Sequence, residues 1–138
     1  MKLIGFNFSK INIERFSEKV ENLKINTNIN ISDIEELKSD FLSMKEALLK
    51  IKFTYNINYD PDFAKIEFMG DIILAVEPKE MKDVLKQWKN KKIAEDFKIT
   101  VFNIVLRKSN LKALQLEDEM NLPLHLPLPS LKQEEKEE

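Results

Sequence analysis

Residues 47–76, ALLKIKFTYNINYDPDFAKIEFMGDIILAV, decide the fold of this chain. Apolar side chains occupy every second position from Leu49 to Tyr59 and again from Ala64 to Val76. Such alternation places one set of side chains on a buried sheet face and the other set toward water. Between the two runs stands Asp60-Pro61-Asp62, and proline fixes a backbone angle suited to a chain reversal. The stretch therefore predicts a long β-hairpin whose apolar face needs a cover.

Two further strands are predicted before the hairpin. Apolar residues alternate with polar ones from Ile4 to Phe8, and the alternation resumes one residue out of phase at Ile11. An extra residue near Lys10 would explain the shift as a β-bulge in one bent strand over residues 3–16. In residues 24–31, isoleucine and threonine share one face and asparagine lines the other, which suits an edge strand.

The segment between these strands and the hairpin is less regular. Ser32 and Glu35 have the spacing of a capping box, so a helical turn is predicted to begin at Ser32. The apolar residues from Ile34 to Met44 follow no sustained period, and Phe41-Leu42 could return the chain to the sheet. We expect this segment to cross over into the hairpin.

Two helices are predicted after the hairpin. Pro78 is suited to the first position of a helix, and Met81, Val84, Leu85 and Trp88 follow at the spacing of a core-facing stripe. After a break at residues 91–94, a second helix is predicted with Asp96 as its N-cap. Its buried stripe comprises Val101, Phe102, Val105 and Leu106. It continues past Leu114, with a kink or interruption at Ser109-Asn110.

The chain changes character at Asn121, where leucine begins to alternate with proline, asparagine or histidine. Proline excludes helix and interior strand, so an extended segment lying along an apolar surface is predicted. The element order gives an α+β fold, with a four-stranded antiparallel sheet and a broken, long helix pair on one face. Residues 1–131 are expected to form a single domain, and residues 132–138 a disordered charged tail.

Composition excludes several functional classes. The chain has 138 residues, two glycines, one histidine and no cysteine. Thiolate catalysis, disulfides and cysteine-ligated metals are therefore ruled out, and two glycines cannot build a phosphate loop. No signal-peptide core or membrane span is present, so we expect a cytoplasmic protein without membrane insertion. No catalytic residue, cofactor or metal site is predicted, and an enzyme is disfavoured.

The element order resembles that of the SecB-type export chaperones over about residues 49–128. Two long antiparallel strands lead into a broken helix, a long helix and a leucine- and proline-rich extension. Within that extension, residues 120–124 (MNLPL) are similar to the family's lid stretch, and Gly70 lies late in the return strand. A further C-terminal helix, usual in the family, is replaced here by an acidic tail. The resemblance implies a four-stranded sheet, a homo-oligomer (dimer or tetramer) packed through the long helix, and apolar grooves for unfolded polypeptide.

From this resemblance we expect a non-enzymatic polypeptide-binding protein, a chaperone or export adaptor that holds non-native chains. A translocation or ribosomal component would then act as a partner in release. Candidate peptide-binding residues are the apolar positions outside the hairpin–helix core: Phe6, Phe8, Phe41, Leu42, Leu122, Leu124 and Leu126.

A lysine-rich block gives an alternative interpretation. Residues 78–112 carry a net charge of +6, against −3 for residues 1–77 and −5 for residues 113–138. Such a block could make the chain a structural or regulatory interaction protein associated with RNA or the ribosome. The simpler interpretation, a solvated helix face, is preferred because the block contains one arginine and no nucleic-acid motif. Nucleic acid is thus a disfavoured partner.

His125 is the one histidine of the chain. It lies between leucines. A general base would need an orienting acid and a substrate pocket, a metal ligand would need companions, and no partner spacing such as HExxH is present. A surface or packing role is therefore predicted for it.

Overall fold

The computed structural model describes residues 1–38, 47–131 and 133. Within them the chain forms four strands followed by two helices. The strands are β1 (Lys2–Arg15), β2 (Lys24–Leu37), β3 (Ala47–Asp60) and β4 (Ala64–Val76), and the helices are α1 (Pro78–Trp88) and α2 (Glu95–Glu119). The sheet is antiparallel with the order β1-β4-β3-β2, which confirms the predicted α+β fold.

The β3–β4 hairpin forms the centre of the sheet, as its alternation predicts. Its register runs from Ala47 opposite Val76 to Tyr59 opposite Ala64 without a shift. The apolar set on β3 is almost fully buried, whereas the alternate positions face the other side and are more accessible. Both outer strands are therefore sheet edges, and the hairpin is the scaffold to which they attach.

The predicted bulge in β1 is present, since the pairing with β4 shifts between Phe8 and Lys10. A second shift lies between Leu3 and Gly5. The prediction of a helical turn at Ser32 is wrong, because β2 continues as a strand to Leu37. Pairing with β3 outweighs the local capping-box signal, and the bulge between Ile31 and Asp33 absorbs the change of phase. The rest of the predicted crossover lies outside the described residues.

The helices agree with the sequence except at two points. Helix α1 begins at Pro78, as predicted. The N-cap of α2 is Ala94 rather than Asp96, which lies in the first turn, where a negative charge favours the helix dipole. The predicted kink or interruption at Ser109-Asn110 is absent, since α2 is continuous from Glu95 to Glu119. Ser109 is buried on the core side of the helix.

One hydrophobic core lies between the sheet and the helices. It joins the apolar face of β3 and β4 to Val84 of α1 and to Phe97, Val101 and Val105 of α2. Beyond Met120 the chain is irregular through Leu131, and Leu122 enters the core with 5% of its surface exposed. The first part of the leucine- and proline-rich segment thus packs on the domain as predicted, whereas Leu126, Leu128 and Leu131 are exposed and do not. Most of the predicted charged tail, Lys132 and residues 134–138, lies outside the described residues.

Candidate functional site

A groove runs between the outer edge of β2 and the two helices. One wall is the β2 segment Ile29–Ser32, and the other is formed by Trp88 at the end of α1, Ile93 in the connection and Phe102 of α2. The volume of the groove is about 620 Å³. That volume falls in the range of about 300–1,000 Å³ typical of ligand sites. The groove is a candidate binding site in the described part of the chain, and it is set apart from other concave regions of similar volume by its aromatic lining.

The strand wall of the groove is an edge of the sheet formed by the described residues. Strand β2 hydrogen-bonds to β3 on one side, and it is the last strand of the described sheet on the other. An unpaired strand edge presents a row of N–H and C=O groups that can accept a further strand. The bulge at Ser32 lies within this wall, and bulges commonly adjust side-chain directions beside functional sites.

The helix wall is held in place by polar contacts to β2. The indole Nε1 of Trp88 donates a hydrogen bond to Oδ1 of Asp33 at 3.2 Å. The backbone N–H of Ile34 donates to the same oxygen at 2.9 Å. This shared acceptor fixes the indole relative to the strand, so its apolar surface contributes to the groove while its polar atom is satisfied.

Two lysines lie over the aromatic rings of the groove. The Nζ of Lys91 lies 4.4 Å from the ring centroid of Trp88, and the Nζ of Lys98 lies 5.5 Å from that of Phe102. Both lysines line the groove and are exposed. Cation–π attraction holds an ammonium group over an aromatic face at such distances. The groove thus combines a few half-buried apolar side chains, polar side chains, an edge strand and two positive charges.

The predicted peptide-binding residues lie elsewhere. Phe6 and Phe8 are half-buried on β1, where their ring centroids lie 5.0 Å apart. Phe6 packs on Phe53 at 5.2 Å, and Phe8 packs on Phe68 at 5.2 Å. These two phenylalanines therefore form one aromatic cluster on β1, at the edge of the sheet opposite to β2.

The three predicted leucines lie on the C-terminal segment at increasing exposure. Leu122 is buried in the core, Leu124 is half-buried and Leu126 is 39% exposed. None of them lines the groove at β2. Phe41 and Leu42 lie outside the described residues, and peptide binding by the whole set stays a prediction.

A buried polar network fixes the C-terminal segment to α2. The Nδ1 of His125 lies 2.8 Å from both carboxylate oxygens of Glu117, and the backbone N–H of His125 donates to Glu117 Oε1 at 3.2 Å. The side chain of His125 is 2% exposed and that of Glu117 is fully buried. His125 is thus a packing residue, as predicted, and its role is to anchor the segment.

Two tyrosines of β3 complete this network. The Tyr59 hydroxyl donates to Glu117 Oε2 at 2.6 Å, and the Tyr55 hydroxyl donates to Asn110 Oδ1 at 2.6 Å. Asn110 Oδ1 also lies 3.0 Å from Nε2 of His125. Burial and, secondarily, the charge of Glu117 raise the pKa of Tyr55 above its usual range. Burial and the hydrogen bond to Glu117 do the same to the pKa of Tyr59. Both hydroxyls are therefore held in the neutral, donating form.

Sequence reasoning missed the groove because its parts have ordinary patterns when taken singly. Trp88 matches a core stripe, and it does pack partly against the core. The lysines match a solvated helix face. One signal in the sequence could have indicated the groove. Residues 24–31 are predicted as an edge strand with isoleucines on one face, and such a strand needs other side chains to pack against that face.

Two further properties bear on function. Within residues 1–38, 47–131 and 133, no group of three His, Cys, Asp or Glu side chains is arranged to hold a metal ion. None of the helices in these residues is long and apolar enough to span a bilayer.

No family model matches the sequence, and no curated protein matches it. Among solved structures, the fold is similar to the Mycobacterium tuberculosis SecB-like chaperone Rv1957, solved in complex with a ChAD peptide from the Rv1956 HigA1 antitoxin. The two chains superpose with a TM-score of 0.54 over 97% of this chain and 92% of the other, at 11% sequence identity. The described chain therefore has the fold of the SecB-like chaperones.

Proposed function

We propose that this chain is a non-enzymatic holdase of the cytoplasm that binds extended, apolar segments of non-native polypeptide. The observation that carries the proposal is the groove at β2, which residues of this last strand of the described sheet line together with Trp88, Ile93 and Phe102. A peptide in extended conformation can pair its backbone with the edge while alternate side chains contact the apolar wall. Backbone pairing is independent of sequence, which suits a protein that holds many different clients.

The structural comparison supports the same class of partner. The Mycobacterium tuberculosis protein with this fold was solved with a bound peptide from an antitoxin. That finding belongs to the other protein, and at 11% identity the likeness concerns the fold. It nevertheless favours polypeptide over a small molecule as the ligand that we propose for the groove.

An oligomer is part of the proposal. Ile99 and Leu111 are apolar residues of α2 with 49% and 63% of their surface exposed. They lie roughly 120° apart around the helix, so one partner helix would cover only one of them, and the oligomer is proposed chiefly from the likeness to the SecB-like fold. A dimer or tetramer would place several grooves on one particle, and a translocation or ribosomal partner would then receive the client.

Suppression of aggregation tests the proposal. The wild-type protein is expected to keep a chemically denatured client in solution after dilution from denaturant, as followed by light scattering. Phe102→Ser removes apolar surface from the groove and should weaken the effect several-fold. Leu106→Ser is the matched control, because Leu106 is likewise a half-buried residue of α2 that packs against the core, and it does not line the groove. No suppression by the wild type at several-fold molar excess over the client would refute the proposal.

A further inference from the structure

The charge of the groove distinguishes it from a purely apolar site. Lys91 and Lys98 come from different parts of the helical region, yet both place their ammonium groups over its aromatic residues. A ligand that covers Trp88 and Phe102 would therefore contact the ammonium groups of both lysines. Among the described residues, neither lysine has a carboxylate oxygen within 4.0 Å. Asp33 lies beside Trp88, where its Oδ1 accepts hydrogen bonds from the indole and from Ile34, so the groove has two positive charges and one negative charge and keeps a positive excess.

The backbone at Lys91 provides an independent observation. Its φ is 57°, in the left-handed region, directly after α1. Its N–H donates to the carbonyl oxygen of Trp88 at 2.8 Å, and the next N–H, that of Lys92, donates to Gln87. Glycine is the usual residue at such a helix end, because any side chain adds strain in this conformation. These two hydrogen bonds close the C-terminal end of α1, where a positive charge also favours the helix dipole, and they hold the backbone of Lys91 where its side chain lies over Trp88.

From these features we propose that the groove selects extended peptide segments whose apolar core is flanked by aspartate or glutamate. The inference rests on the proposed function and specifies its substrate class. The apolar residues of the client would lie against Trp88, Ile93 and Phe102, and a flanking carboxylate would pair with Lys91 or Lys98. Ion pairs at a partly desolvated rim contribute mainly to selectivity and to the rate of association.

Three synthetic, tryptophan-free peptides test the selectivity. They share one alternating apolar segment and differ in flanks of glutamate, glutamine or lysine, and binding is measured by fluorescence anisotropy of a terminal dye. The glutamate peptide is expected to bind roughly tenfold more tightly than the glutamine peptide at low salt, and the lysine peptide more weakly still. The preference should decrease at high ionic strength, because exposed charges are screened.

Two variants assign the preference to the lysines. Lys91→Gly suits the left-handed turn and so preserves the fold while it removes the charge. Combined with Lys98→Gln, it should abolish the difference between the glutamate and glutamine peptides. Asn121→Gly is a backbone control, because Asn121 has a φ of 53° and lies outside the groove. Lys108→Gln is a charge control on the exposed surface of α2. Both controls should retain the preference.

The outcomes separate this inference from the proposed function. Equal binding of all three peptides, or an undiminished preference in the double variant, would overturn the inference and leave the holdase proposal intact. Binding of none of the peptides would overturn both. Displacement of the glutamate peptide by a short single-stranded RNA, lost in the double variant, would also overturn the inference, because the lysines would then serve phosphates.

Discussion

Glu117 and His125 are the residues on which the position of the C-terminal segment depends. Both side chains are almost completely buried, and each satisfies the polar atoms of the other. A buried ion pair or charged hydrogen bond adds little net stability relative to apolar residues of similar size, but removal of one partner leaves the other without compensation. The pair therefore serves mainly to fix one position of the C-terminal segment against α2, rather than to add net stability.

Single and double replacements of this pair give the first prediction. Glu117→Leu or His125→Leu alone should lower the free energy of unfolding by about 3 kcal/mol, because each leaves a buried polar group without its partner. The double variant should lose much less than the sum of the two. Urea unfolding measures all three values. Strictly additive losses would show that the two side chains do not act as a unit.

The second prediction concerns alkaline pH. Both tyrosines of the chain lie in the network, and burial raises the pKa of each in the folded state. Above pH about 10 the unfolded chain releases the phenolic protons while the folded protein retains them. Stability is therefore complete below pH 10 and falls above it, by about 1.4 kcal/mol per pH unit for each tyrosine.

Absorbance at 295 nm checks the tyrosine prediction. No phenolate signal should appear near pH 10 while the protein stays folded, and both tyrosines should ionise together as it unfolds. Tyr55→Phe should reduce the steepness of the loss of stability with pH. Ionisation of either tyrosine near pH 10 in the folded protein would be incompatible with its placement in the network.

At the scale of single elements, the attachment of β1 to the hairpin depends on Gly70. A Cβ at this position would lie 2.2 Å from the backbone oxygen of Asn7 and 2.8 Å from the ring of Phe53. Gly70→Ala should therefore lower the free energy of unfolding by about 2 kcal/mol, the usual cost of overpacking. Gly5→Ala is the matched control, since a Cβ at Gly5 would meet Ile73 at 3.9 Å, an ordinary contact.

Thermal or urea unfolding of the two glycine variants decides this prediction. A Gly70→Ala protein as stable as the Gly5→Ala protein would mean that β1 lies farther from β4 than the register indicates. The strands would then be free to separate at the edge that carries Phe6 and Phe8.

The elements differ in how far the sequence predicts them, for physical reasons. The hairpin and α1 are predictable, because alternation over residues 49–59 and proline at residue 78 are local signals that agree with the tertiary structure. Ser32 shows the opposite case, since its capping-box spacing is local and pairing with β3 overrides it. The groove could not be predicted, because it depends on the placement of residues 29–32 beside residues 88–102 and no single segment encodes that juxtaposition.

At the scale of the whole molecule, the fold separates the core from the groove that we propose as the binding surface. The β3–β4 hairpin and the inner faces of the helices make the core, and the network at His125 closes one end of it. Strand β2 supplies an open edge, and the helices supply the apolar wall and the positive charges beside it. The proposed polypeptide-binding role is compatible with this division, because the groove can be occupied without disturbance of the core.

Emission from Trp88, the single tryptophan of the chain, tests the central claim most directly because this residue lines the groove. The protein is titrated with a tryptophan-free client kept unfolded in dilute buffer, and the fluorescence of the indole is followed. Occupation of the groove predicts a saturable shift of the emission to shorter wavelength, since the client covers the half-buried ring. The folded form of the same client should cause none. A client that binds, as judged by co-migration in gel filtration, but leaves the emission unchanged would contradict the assignment of the groove as the binding site.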